Sequence, residues 1–98
     1  MIEAPEISRI AEQVARESLG TENVVRVAAE PMVDWTGAEA WRVLIVIAPD
    51  ALPRILGDPL ANNLINIQKE VQKAGDDRFA FVEYATEAEL AEYDDTEC

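Results

Sequence analysis

Trp41-Arg42-Val43-Leu44-Ile45-Val46-Ile47 is the stretch whose reading decides the fold. It has the length of a strand. Trp41, Val43, Ile45 and Ile47 alternate onto one face, while Leu44 and Val46 make the other face apolar too. Apolarity on both sides predicts a central strand covered on both faces. Upstream, Val24-Val25-Arg26-Val27-Ala28-Ala29 is rich in β-branched residues and reads as a second strand, continuing extended to Trp35. Pro31 offers no ladder donor, so it predicts an edge, a bulge or a strand end. Between the two runs, Asp34-Trp35-Thr36-Gly37-Ala38-Glu39 carries turn chemistry, with Gly37 free to take positive φ. The pair reads as a hairpin.

Helical patterns flank the hairpin. Ile7, Ile10, Ala11, Val14 and Ser18 or Leu19 follow the spacing of one helix face, opened by Pro5 and ended at Gly20. Pro49, Pro53, Gly57 and Pro59 punctuate a loop with one helical turn over Leu52 to Leu56. From Pro59, the stripe Leu60, Leu64, Ile67, Val71 and Ala74 predicts a second long helix ending at Gly75. Asp76-Asp77 turns the chain into a third strand, Arg78 to Tyr84. Thr86 and Glu89 match a capping box, which predicts a short helix over Glu87 to Glu92, followed by a frayed acidic tail over 93–98. The order is α-β-β-α-β-α in one small domain, residues 1–98. The fold class is α+β: a three-stranded mixed sheet, hairpin plus one parallel strand, with two long helices on one face. Strand Trp41 to Ile47 is placed in the middle because it is the most uniformly apolar.

Charge excludes whole classes of function. Twenty Asp and Glu face eight Lys and Arg, for a formal charge of −12 over 98 residues. Phosphates repel such a surface, so nucleic acid is not an expected partner; a basic protein surface is. There is no His, and the single Cys is Cys98, so zinc, haem and iron–sulfur centres find no ligand set and no internal disulfide can form. Acid–base catalysis would fall to carboxylates, Lys or Tyr alone. The four glycines are isolated, so no phosphate cradle is built. No cofactor, metal or catalytic residue is expected, and the expectation is a non-enzyme. No apolar run reaches membrane-span length, and the N-terminus lacks signal-peptide character, so no membrane partner and a cytoplasmic location are expected.

Two features point outward. After Arg78 there is no Lys or Arg, yet Glu83, Glu87, Glu89, Glu92, Asp94, Asp95 and Glu97 follow. One reading is a solubilising face and tail; the other is an electrostatic docking segment for a basic partner. Trp35, beside the Gly37 turn, is the tryptophan expected to be exposed, and Trp is enriched at interface hot spots. The candidate partner-binding residues are therefore Trp35, Glu83, Glu87, Glu89, Glu92, Asp94 and Asp95. Trp41, Phe79, Phe81 and Tyr84 read as core-rim or sheet packing.

Asp34-Trp35-Thr36-Gly37 followed by Trp41 to Val46, and Ala74-Gly75-Asp76-Asp77-Arg78-Phe79-Ala80-Phe81, resemble a group of small prokaryotic α+β proteins. These are encoded beside HEPN-type partners in toxin–antitoxin-like gene pairs. The resemblance covers roughly residues 24–90 and rests on turn and strand chemistry; Ala80 stands where the group carries Pro. It brings over no catalytic residue. It implies a partner-binding role, as an antitoxin or accessory subunit neutralising a basic, co-encoded toxin or nuclease-like protein. The alternative from another class is a small-molecule-binding regulatory domain without catalytic activity, its pocket between the sheet and the Pro49 to Pro59 loop. Pairing of exposed strand edges into a homodimer is compatible with either.

Overall fold

The computed structural model describes residues 3–95, with side chains as far as residue 91. The elements in order are α1 (Ala4–Leu19), β1 (Val24–Val33), β2 (Glu39–Ile47), α2 (Leu52–Ile55), α3 (Asp58–Lys73), β3 (Phe79–Thr86) and α4 (Glu87–Asp95). β2 is the middle strand, antiparallel to β1 and parallel to β3. The α+β mixed sheet expected from the pattern of apolar residues is the sheet observed.

The alternation along β2 decides which residues become core. Trp41, Val43, Ile45 and Ile47 are buried against Ile7, Ala11, Val14 and Leu19 of α1 and Ile67 and Val71 of α3. Both long helices therefore lie on one face. The stripe on α3 differs from its simplest reading in two places: Leu64 is 40% exposed, and Asn63 is fully buried instead. The cause is polar. Asn63 Nδ2 donates to the Tyr84 hydroxyl on β3 at 2.8 Å, which rotates the buried stripe onto Asn63, Ile67 and Val71. Burial pushes the Tyr84 hydroxyl pKa up, with the Asn63 hydrogen bond opposing the shift.

On the opposite face the sheet has no long helix. Arg42 there pairs with Glu30 on β1 and Glu83 on β3, tying all three strands across the surface. Val46 is nonetheless fully buried, at the point where Arg26 of β1 pairs with Glu87 of α4. α4 opens with the expected capping box: Glu89 N–H donates to Thr86 Oγ1, and Thr86 N–H donates to Glu89 Oε1. The helix runs to Asp95, so the first residues of the expected frayed tail are helical. Residues 96–98, Cys98 among them, and the side chains of Glu92, Asp94 and Asp95 lie outside the described residues.

The two sheet edges are handled differently. On β1, Ala29 N–H donates to Ser8 Oγ of α1 at 2.9 Å, so it points away from β2. Two residues on, Pro31 falls on the same outer edge and has no N–H to offer, the edge position its chemistry predicted. Arg16 adds hydrogen bonds to the carbonyls of Thr21, Val24 and Val25 at the start of this strand. On β3, the side-chain amide of Gln68 bonds both backbone groups of Ala80, Nε2 to O at 2.7 Å and Oε1 from N at 3.5 Å.

One polar cluster fixes where β3 begins. Asp76, 4% exposed, accepts from Trp41 Nε1 at 3.0 Å, from Arg78 N–H at 2.9 Å and from the Arg78 guanidinium. The Arg78 guanidinium also lies over the Trp41 ring, 4.2 Å from its centroid. Hydrogen bonds from Arg78, opposed in part by burial and reinforced by Trp41, hold the Asp76 carboxyl far below the usual carboxylate range. Because that pKa is depressed on folding, the cluster stabilises the fold above the ordinary Asp value, 3.8, and this contribution is lost as pH falls below it. Asp76→Asn should cost about 3 kcal/mol at neutral pH, by leaving the guanidinium without its counter-charge. The stability gap between wild type and variant, measured by urea unfolding, should narrow as pH is lowered from about 5 to about 2. A gap that stays constant over that range would show that ionised Asp76 is not what stabilises the cluster.

Candidate functional site

The turn between β1 and β2 is built to hold its shape. Asp34 Oδ1 accepts from Thr36 N–H at 2.8 Å, Thr36 Oγ1 at 2.6 Å and Ala38 N–H at 3.0 Å. Backbone bonds from Gly37 N–H to Asp34 O and from Asp34 N–H to Ala38 O close it. Gly37 takes φ +88°, a conformation that favours glycine. The Thr36 hydroxyl, with backbone N–H groups of Ala38, Thr36 and Gly37 adding to it, holds the Asp34 carboxyl below its ordinary value. Out of this closed turn projects Trp35, 92% exposed. Trp41, the other tryptophan, is buried in the core rather than at its rim.

The parallel register carries the site along the sheet. Ala40, just past the turn, pairs with Phe79, so the hairpin tip and the start of β3 lie at the same end. Phe79 and Phe81 sit on the face without long helices, their rings 4.7 Å apart, and Phe79 is 51% exposed. It is therefore not the sheet-packing residue its sequence position suggested. A shallow cleft of about 520 Å³ crosses the β3 edge here, lined by Met32, Arg42, Phe79, Phe81 and Glu83, with Leu64 from α3. Leu44, paired with Glu83, lies farther along the same face.

Of the expected acidic residues, Glu87 and Glu89 lie at the other end and Glu83 between the two. Glu83 lies midway along β3 and pairs with Arg42, Glu87 pairs with Arg26, and Glu89 caps α4. These three are exposed, and such surface pairs hold little energy, so they exchange readily for pairs with another molecule. Trp35 and Glu87 are separated by the length of β2, roughly 27 Å at strand rise, so the structure gives an apolar end and an acidic end of one surface. Backbone helix places Glu92, Asp94 and Asp95 in continuation of the acidic end.

Asp76, the one buried carboxylate among the described residues, is held ionised and fully engaged by Arg78 and Trp41, so it neither donates nor accepts a proton near neutral pH. Among the described residues, no three His, Cys, Asp or Glu gather closely enough to hold a metal ion. A polar cleft of about 430 Å³ separates α1 from α3, lined by Gln13, Glu17, Ser18, Asn62, Asn66 and Glu70. Ala51 and Ile55 of the 49–59 segment are fully buried in the core. No helix among the described residues is long and apolar enough to cross a membrane. Compared with models of known families, with curated proteins and with solved structures, the chain matches none.

The turn's rigidity is open to measurement. Asp34→Ala removes the acceptor that gathers Thr36 and Ala38. Backbone order parameters at residues 35–37 should fall from about 0.85 toward about 0.6. Unchanged order parameters would mean that the carboxylate does not organise the display of Trp35.

Proposed function

We propose that this chain is an acidic protein–protein interaction module, of the antitoxin or accessory-subunit kind, that docks onto a basic protein partner in the cytoplasm. The partner class it suits is a co-encoded toxin or nuclease-like protein. The observation that carries this reading is Trp35: a large aromatic side chain left almost wholly in water on a turn whose conformation is already paid for by its own hydrogen bonds. A rigid aromatic loses little conformational entropy on binding and buries a large area, which is the physics of an interface anchor.

Charge supports the same reading. All six arginines and Lys73 take part in ion pairs within the chain. The surplus of acids is left to project a negative potential outward, where it steers a cationic partner and raises the association rate more than the affinity. Trp35 accordingly sets the dissociation rate, and the acids from Glu83 to Asp95 set the association rate and its salt dependence.

The two roles separate kinetically. Against the product of the adjacent reading frame, Trp35→Ala should weaken binding by about 2 kcal/mol, roughly thirtyfold, mostly through faster dissociation. The combined variant Glu92→Gln, Asp94→Asn, Asp95→Asn should slow association at about 50 mM salt and converge with wild type at about 500 mM. Neutralisation is preferable to truncation, because α4 runs through these positions. Association kinetics that ignore salt in both proteins would remove the electrostatic half of the proposal, and an unaltered Kd for Trp35→Ala would remove the other.

A further inference from the structure

The outer edge of β3 is the place where the sheet remains open to another chain. The Gln68 bonds to both backbone groups of Ala80 show that even-numbered residues of β3 turn their N–H and C=O away from β2. By the strand's alternation, Val82 and Tyr84 turn theirs to the same outer side. Among the described residues, no side chain or loop bonds to the backbone groups of these two, whereas on the β1 edge Ser8 takes the Ala29 N–H and Pro31 has none to offer. Gln68 is itself instructive. A side-chain amide is a peptide group on a tether, and it sits where the first peptide of an added strand would sit.

Beside this open row lie pockets for alternate side chains. Phe81 and Phe79 flank it on one side and Leu64 on the other, around the 520 Å³ cleft. An edge with free main-chain groups and apolar pockets on both sides is the requirement for recognition by strand addition. Its charge selects the occupant. Every ionisable side chain from Glu83 to the end of the sequence is acidic or a tyrosine, apart from Cys98. A second copy of this chain pairing along the same edge would bring two Glu83 side chains close together across the new ladder, between molecules each carrying −12. An extended segment rich in Lys and Arg meets the opposite sign.

We infer that the β3 edge from Val82 to Tyr84 receives an extended basic segment of the partner as a fourth strand of the sheet. This rests on the docking function proposed above and specifies its mode: main-chain hydrogen bonds supply register, Phe81 and Leu64 seat alternate apolar side chains, and the acids flank the cationic ones.

The test uses the full chain and capped synthetic peptides of about ten residues: alternating Lys–Val, alternating Glu–Val, and Lys–Gly of the same charge. Saturating Lys–Val peptide should slow hydrogen exchange at the Val82 and Tyr84 amides about tenfold and give cross-strand contacts to them. Glu–Val should not bind, and Lys–Gly should perturb the acidic end without protecting either amide. Val82→Pro, which removes an outward N–H along with fixing φ, should abolish the protection; if that variant does not fold, the wild-type exchange pattern decides. No binding of Lys–Val, or binding that leaves the two amides unprotected, overturns the inference. So does protection that rises with protein concentration in the absence of peptide, which would make a second copy the occupant. Should the amides stay unprotected while Trp35→Ala still weakens association with the partner, docking stands and strand addition alone falls.

Discussion

Asp76 sits between the indole N–H of Trp41 and the guanidinium of Arg78, and the rest of the sheet is positioned by that contact. The chain leaves α3, turns at Gly75 and must enter β3 in one register beside β2. Apolar packing alone specifies that register weakly, because a shift along a strand substitutes one apolar contact for another. Arg78 moves with Asp76, but the bond from Trp41 Nε1 and the stacking of Arg78 on the Trp41 ring exist in one register only: moving β3 would leave a buried indole N–H without its acceptor, at a cost of about 1–3 kcal/mol. The same contact therefore sends Ala80 inward and leaves Phe79 and Phe81 on the face without long helices. The exposed aromatic surface is a by-product of how the core is pinned.

Much of this architecture was legible from spacing alone. The order of elements, the central place of β2, Pro31 on an edge, the Gly37 turn and the Thr86–Glu89 capping box all follow from short-range chemistry, and short-range chemistry is what a sequence displays. Asn63 and Leu64 were misassigned because helical periodicity sees polarity but not a tyrosine hydroxyl arriving from β3, twenty-one residues away. Asp76 reads as turn chemistry until Trp41, thirty-five residues upstream, is brought against it. Phe79 was recoverable by counting: two long helices cover one face of a three-stranded sheet, so alternate apolar residues of β3 must include some left outside. Gln68 carried no signal, since an amide on a helix reveals its target only when the strand edge is in place.

Trp35 differs from these, because its exposure was expected and its rigidity was not. The Asp34 carboxylate collects two backbone N–H groups and a hydroxyl into a turn that needs no tertiary support. A backbone ordered in this way matters when the side chain it carries is to be desolvated against another surface, because it reduces the entropy lost on association.

The distribution of charge follows a related logic. With the arginines tied up internally, ion pairs stitch β1, β2, β3 and α4 together across the open face while the surplus of acids stays uncompensated. Self-repulsion of that surplus works against the folded state, and nothing in the core requires it. The proposed cationic partner would relieve that repulsion, so that binding and folding would be stabilised by the same exchange of counter-charge. In the docking proposed above, apolar anchoring at the hairpin end and attraction at the α4 end would act on different stages of one encounter: the acids would orient the approaching molecule over roughly a Debye length, and the aromatic groups would hold it after water has left.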